Sequence, residues 1–191
     1  GRAQMNDFLA ILTNPHLWAQ FPHVLFTSLA TGSFVIAGIS AWKIARKHDL
    51  DLFKRSFRIS IIIGLASSLI IMFTGHWQAQ YLVNAQPMKM AAAEALWEDS
   101  DDPAPFTVVA AIDEAAKENT FEVQIPLLLS FLSFNQFEGS LEGINGLQEM
   151  YEDKYGPGNY IPNVTLLFWV FRVMTGIGGV MALLGLYGWD M

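Results

Sequence analysis

The sequence predicts an all-α integral membrane protein, with three transmembrane helices and one long extracytoplasmic loop, as a fragment of a larger helical bundle. Three observations carry this. Of the 191 residues, 52% are hydrophobic and only 15% charged, below the roughly one quarter typical of soluble domains. The charges are segregated: the apolar runs hold almost none, and the acids behind the net charge of −7 gather in one stretch. Three apolar runs approach or exceed the roughly 20 residues that a helix needs to cross a bilayer.

The first run is Phe21 to Trp42. Asn14-Pro15 ahead of it reads as an N-cap with proline at the first helical position, so the helix is expected to begin near Pro15, with Pro22 bending it. The second run, Phe57 to Thr74, is apolar apart from Arg58 and hydroxyl residues. The third, Val164 to Tyr187, is interrupted by Arg172. Glycines inside the runs allow close packing on neighbouring helices or on a flat cofactor. Three regions follow: 1–75 with two spans and a basic turn, 76–163 as the loop, and 164–191 as the third span. Both ends read as cut from a longer membrane protein.

Basic residues set the expected orientation. Lys43, Arg46, Lys47, Lys54, Arg55 and Arg58, six of the eleven Lys and Arg residues, lie in the turn between the first two spans. The positive-inside rule puts this turn in the cytoplasm and the loop outside. Trp18 and Trp77 then fall at the outer boundary, Trp42 and Trp189 at the inner one. Within the loop, Gln86 to Glu98 reads as a short helix opened by Pro87, and Asp99 to Pro105 as a breaker. Phe121 to Phe134 is apolar and suits a strand, a surface helix or a packing segment. Leu147 to Tyr155 reads as a further helix stopped by Gly156-Pro-Gly.

The absence of cysteine excludes disulfides, thiolate metal sites and thioether-linked heme. The acidic balance argues against nucleic acid, and no P-loop, dinucleotide fingerprint, zinc motif or nucleophile elbow is present. The residues that could carry chemistry are few. His23 lies in an apolar run, where an imidazole is either an iron ligand or a hydrogen-bonded interfacial histidine. His16 and His76 are weaker candidates, and His48 belongs to the solvated turn. Arg172 needs a partner that no acid in the three runs supplies; a lipid headgroup, a residue elsewhere or a cofactor carboxylate would serve. Met174 alone is ordinary membrane filler. Counted from Pro15 and Pro162 at 1.5 Å per residue, His23 and Met174 lie about 12 and 18 Å into their helices, depths at which the two could face each other across a heme. Lys89 and Glu94, five apart, do not share one clean helical face, and by spacing alone they read as a solvated helix. Asp99, Asp101 and Asp102 read as solvated surface.

Several segments together are more specific than any one of them. Gly1-Arg-Ala-Gln-Met-Asn-Asp-Phe8, Phe21-Pro-His-Val24, Gln86-Pro-Met-Lys-Met-Ala-Ala-Ala-Glu94, Pro103-Ala-Pro-Phe-Thr107, Phe131-Leu-Ser-Phe134 and Phe171-Arg-Val-Met174 run through the chain in the order of a known family. The sequence resembles subunit I of the cytochrome bd-type quinol oxidases. That resemblance implies quinol oxidation on the outer side of a prokaryotic cytoplasmic membrane and reduction of oxygen to water. It implies a low-spin heme b with His23 and Met174 as axial ligands and Arg172 close by. It implies quinol chemistry at Lys89 and Glu94. Two high-spin hemes (b and d, or b alone) would lie in the remainder of subunit I, with subunit II and small subunits as partners. The chain corresponds to under half of such a subunit, has the shorter kind of loop, and carries His76 where some relatives have an acid. The competing readings are a bis-His cytochrome using two of His16, His23 and His76, and a cofactor-free transporter or assembly fragment in which Arg172 binds an anion.

Overall fold

The computed structural model describes residues 7–189. The segment from Gly1 that contributes to the resemblance therefore lies almost wholly outside the described residues. Helices α1 (Phe8–Leu12), α2 (Pro15–Ala45), α3 (Leu50–Ala85) and α4 (Pro87–Glu94) are followed by strands β1 (Phe106–Asp113) and β2 (Glu118–Ile125). Helices α5 (Leu128–Phe134), α6 (Ile144–Tyr155) and α7 (Val164–Trp189) complete the chain. Among the described residues α2, α3 and α7 are long and apolar enough to cross a membrane. The chain divides into two compact units: residues up to Gln78 with those from Gly176 on, and Ala79–Thr175.

In the first unit, α2 starts where the cap signal places it. Asn14 Oδ1 accepts the His16 N–H at 2.9 Å, and Pro15 occupies the first turn, where its missing N–H costs nothing. The helix continues through Pro22. Thr27, Ser28 and Thr31 donate back to carbonyls one turn earlier, as Thr27 does to His23 at 2.7 Å, which satisfies them without water. Helices α2 and α3 meet along small residues. Ala30, Ser33, Ala37 and Ser40 of α2 are buried, as are Ser60, Gly64, Ser67 and Ser68 of α3. Ser40 Oγ donates to Ser56 Oγ at 3.0 Å, and the Phe34 ring lies where a Cβ on Gly64 would stand 3.1 Å away. Small side chains let membrane helices approach closely when water supplies no hydrophobic drive between them. The outward residues, such as Leu25, Leu29, Ile36 and Ile39, are exposed and apolar, a surface suited to lipid or to further helices.

Helix α3 extends well past Thr74, where the apolar run ends. Its 36 residues correspond to about 54 Å at 1.5 Å per residue, longer than the roughly 30 Å hydrocarbon layer. Hydropathy marks where a helix leaves an apolar medium, not where its backbone stops.

The second unit keeps the mostly helical character expected of the chain and adds one β-hairpin. Strands β1 and β2 pair antiparallel, with Val109 opposite Val123 and Ala111 opposite Phe121. Asp113 Oδ1 caps the connecting turn by accepting from Ala115 and Ala116. The apolar stretch Phe121 to Phe134 thus divides into a strand end and α5, with Pro126 between them. Helix α4 is shorter than expected, because Ala95 takes the left-handed conformation and ends it. Its Met88, Ala91 and Ala92 join Trp97, Ala110, Ile144, Leu147, Val164 and Phe168 in one core. Asn119 links hairpin to helix, donating to the Ala95 carbonyl at 2.9 Å and accepting from Trp97 Nε1 at 3.2 Å.

The acidic stretch expected to be mere solvated surface has a structural task. Asp99 accepts the Gly143 N–H at 2.8 Å and Asp102 the Gly139 N–H at 2.6 Å, while Ser100 accepts the Leu141 N–H at 2.8 Å. The Ile144 and Asn145 amides donate to the Leu96 and Trp97 carbonyls at 2.8 and 3.0 Å. These contacts latch 96–102 to 139–145. At Gly143 a Cβ would stand only 2.3 Å from the Glu98 backbone, so the latch closes only on glycine.

Candidate functional site

The strongest polar feature of the second unit is built around Arg172. The guanidinium has five N–H donors, and each has an acceptor. Nε donates to the Thr107 carbonyl at 2.8 Å, and Nη2 to the same carbonyl at 2.5 Å and to Glu94 Oε2 at 2.6 Å. Nη1 donates to Glu94 Oε1 and to the Ala93 carbonyl, both at 3.3 Å. The side chains of Arg172 and Glu94 are 8% and 2% exposed, so the pair is removed from water. The rings of Phe106 and Phe168 lie 4.3 and 4.4 Å from the guanidinium carbon, placing their electron-rich faces against the cation. One side chain of α7 thereby ties down the end of α4 and the start of β1. A cofactor carboxylate is not needed to balance this charge, because the loop supplies the acid that the apolar runs lack.

Glu94 is accordingly not on a solvated face. Burial pushes its carboxyl up to about 7, against the opposing pull of Arg172. Lys89, five residues earlier on α4, is exposed. The spacing that keeps the two off one helical face thus places a cation outside and a carboxylate inside.

His23 belongs to the first unit. Its Nδ1 lies 3.2 Å from Thr74 Oγ1, and a Cβ on Gly75 would stand 3.1 Å from its Cε1. The ring is thus held on its Nδ1 and Cε1 edge. Met174, on α7, is 51% exposed. His48 lies in the exposed turn, 3.0 Å from Asp49. Among the described residues no group of three His, Cys, Asp or Glu side chains could hold a bare metal ion.

The parts missed by sequence reasoning are mostly backbone. The carbonyls of Ala93 and Thr107 receive three of the five Arg172 donors, and carbonyls have no sequence signature. Phe106 and Thr107 lie in the Pro103-Ala-Pro-Phe-Thr107 segment, whose recurrence was the only signal. Thr74 and Gly75, beside His76, showed only as the end of an apolar run.

Three spanning helices and a folded interhelical domain that buries an Arg–Glu pair define a multi-pass helical membrane protein. The family model for cytochrome bd terminal oxidase subunit I matches residues 1–191, and the chain belongs to that family. It is 50% identical over 188 residues to the cytochrome bd ubiquinol oxidase subunit 1 of Bacillus subtilis (strain 168), covering 98% of this chain and 40% of that protein. It is 30% identical over 203 residues to the cytochrome bd-II ubiquinol oxidase subunit 1 of Escherichia coli (strain K12), covering 100% of this chain and 39% of that protein. The bd oxidase structure from Geobacillus thermodenitrificans matches with a TM-score of 0.81 at 26% identity, covering 96% of this chain and 40% of that one. The chain spans about 40% of the length of the relatives it matches. Membership in a family of bacterial membrane cytochromes implies heme, and it displaces the cofactor-free reading.

Proposed function

We propose that this segment is the quinol-oxidising and electron-accepting part of a membrane quinol:oxygen oxidoreductase, with menaquinol or ubiquinol as its donor. The observation that carries the reading is the disposition of α4: Lys89 outward, Glu94 inward on Arg172. A quinol has two hydroxyl protons to lose on oxidation. Lys89 is suited to hold a quinol oxygen as negative charge develops on it. Glu94, with its carboxyl raised to about 7, is suited to accept a proton at working pH.

His23 and Met174 are proposed as the axial ligands of a low-spin heme b. The fit is supported by the held imidazole edge, which leaves Nε2 for a metal, and by the exposed thioether. His23 and Met174 would hold the heme through an imidazole nitrogen and a thioether, and it would supply a one-electron acceptor with a potential above that given by two histidines. Arg172, two residues before Met174 on α7, contributes positive charge to its surroundings. With all five donors engaged, its influence on a heme is electrostatic. The high-spin hemes and the oxygen chemistry are assigned to the remainder of subunit I, with subunit II and small subunits as further partners. The loop is assigned to the outer face of the bacterial cytoplasmic membrane and the Lys43 to Arg58 turn to the inner face.

The test is kinetic. In the complete oxidase, Lys89→Ala and Glu94→Gln, which keeps a hydrogen-bonding partner for Arg172, should slow quinol-dependent oxygen consumption while heme content stays normal. One-electron donors that bypass the quinol site should still support turnover. Wild-type quinol kinetics in both variants would make α4 structural and place the quinol site elsewhere.

A further inference from the structure

The contacts around His23 decide which of its nitrogens is available. Thr74 Oγ1 lies 2.9 Å from the Ile70 carbonyl and 3.2 Å from the Ile71 carbonyl. A hydroxyl has one proton to donate, and here helix α3's own carbonyls take it. Toward His23 Nδ1, 3.2 Å away, the Thr74 oxygen is then an acceptor. With the hydroxyl proton on those carbonyls, Nδ1 is the donor toward the Thr74 oxygen, and the Ile71 carbonyl, also hydrogen-bonded to the imidazole, stands as a second acceptor. In the neutral ring the other nitrogen, Nε2, then keeps its lone pair. The next residue supplies the space. A Cβ on Gly75 would stand 3.1 Å from Cε1 and 3.4 Å from Nδ1 of His23, tight enough to displace the ring. One turn of α3 thus receives the N–H and leaves room for the ring edge.

We propose that Thr74 and Gly75 are positioning residues for His23: together they fix its Nδ1–H tautomer and its ring plane, and reserve Nε2 as the iron-binding nitrogen. The inference rests on the reading of His23 as a heme ligand and adds to it the residues that set that ligand's basicity. An acceptor on the distal N–H of a ligating imidazole raises its basicity and so favours the ferric state. Removing the acceptor should raise the midpoint potential.

The experiment uses the complete membrane-bound oxidase, reading the electron paramagnetic resonance g values and the midpoint potential of the low-spin heme. Loss of an outer-shell partner typically changes metal affinity about 10- to 100-fold; falling on the ferric state alone, that is about 59 to 118 mV for one electron. Thr74→Val, close in shape but unable to accept, should shift the potential upward and move the g values, and Thr74→Ser should restore both. Gly75→Ala should move the g values by turning the ring. An unchanged or lowered potential in Thr74→Val overturns the inference. Should Thr74→Val lose the heme, a Thr74→Ser variant with wild-type potential supports the inference, and a Thr74→Ser variant that also loses it overturns it. His23→Ala separates the two levels. If the low-spin signal survives in His23→Ala, the ligand reading falls; if it vanishes while Thr74→Val matches wild type, only the positioning role falls.

Discussion

Replacing Arg172 by methionine would leave a carboxylate that is 2% exposed facing an apolar side chain. It would also strip the Thr107 and Ala93 carbonyls of their donors. Removing one member of a buried ion pair costs about 3–5 kcal/mol, and every 1.4 kcal/mol is about tenfold in population. The folded loop should therefore open more than about 100-fold more often. Two signs distinguish this from a generic packing defect. The penalty relative to wild type should shrink as pH falls toward about 7, because Glu94 freed of the pull of Arg172 takes up its proton at higher pH than in wild type, with a ceiling of about 1.4 kcal/mol per pH unit. The double variant Arg172→Met with Glu94→Leu should be less labile than Arg172→Met alone, since no buried charge is stranded. Limited proteolysis of membranes holding the complete oxidase, followed at pH 7 and pH 9, reads the opening directly. Loop cleavage of Arg172→Met at the wild-type rate, or a double variant as labile as the sum of the singles, would refute the reasoning.

Three further expectations are open to simple measurements. His23→Ala and Met174→Leu should each remove the low-spin heme b absorbance and largely spare the high-spin bands; an intact low-spin band in His23→Ala would dismiss the assignment. Glu94 acts as a base only when deprotonated, so the quinol-dependent rate should rise with pH through about 7. A Glu94→Gln variant should lose that limb, and an unchanged profile would exclude Glu94 as the acceptor. Protease added to intact spheroplasts should cut the loop and spare the basic connection between α2 and α3, and the reverse pattern would invert the proposed orientation.

The spans were legible because their signal is collective: long apolar runs, a proline cap at Pro15 and a cluster of cations each point to the same arrangement. The hairpin was not. Phe106 to Asp113 and Glu118 to Ile125 have weak alternation, and β2 is mostly exposed, so no buried face imprinted a period of two on it. The length of α3 escaped for a related reason, since Gly75 to Ala85 is helical without being uniformly apolar. At the site, residue types were readable and partnerships were not. An arginine in an apolar helix announces that it needs an acid. That the acid is Glu94, separated by 78 positions in the chain, depends on tertiary packing that no local pattern records.

The latch between 96–102 and 139–145 bears on how this loop tolerates change. Because Asp99, Ser100 and Asp102 hold Gly143, Leu141 and Gly139 directly, residues 103–138 leave the latch and return to the same place. An insertion or deletion on that excursion alters a contour whose two feet stay fixed, provided that Asn119 keeps its bonds to Ala95 and Trp97 at the end of α4. The freedom has an inner limit. The Thr107 carbonyl and the Phe106 ring belong to the Arg172 clasp, so length can vary only beyond the base of β1. Grafting or tagging of this loop should therefore be aimed at the exposed residues 115–117 of the hairpin turn, between Glu114, which holds Thr165, and Asn119, which holds Ala95.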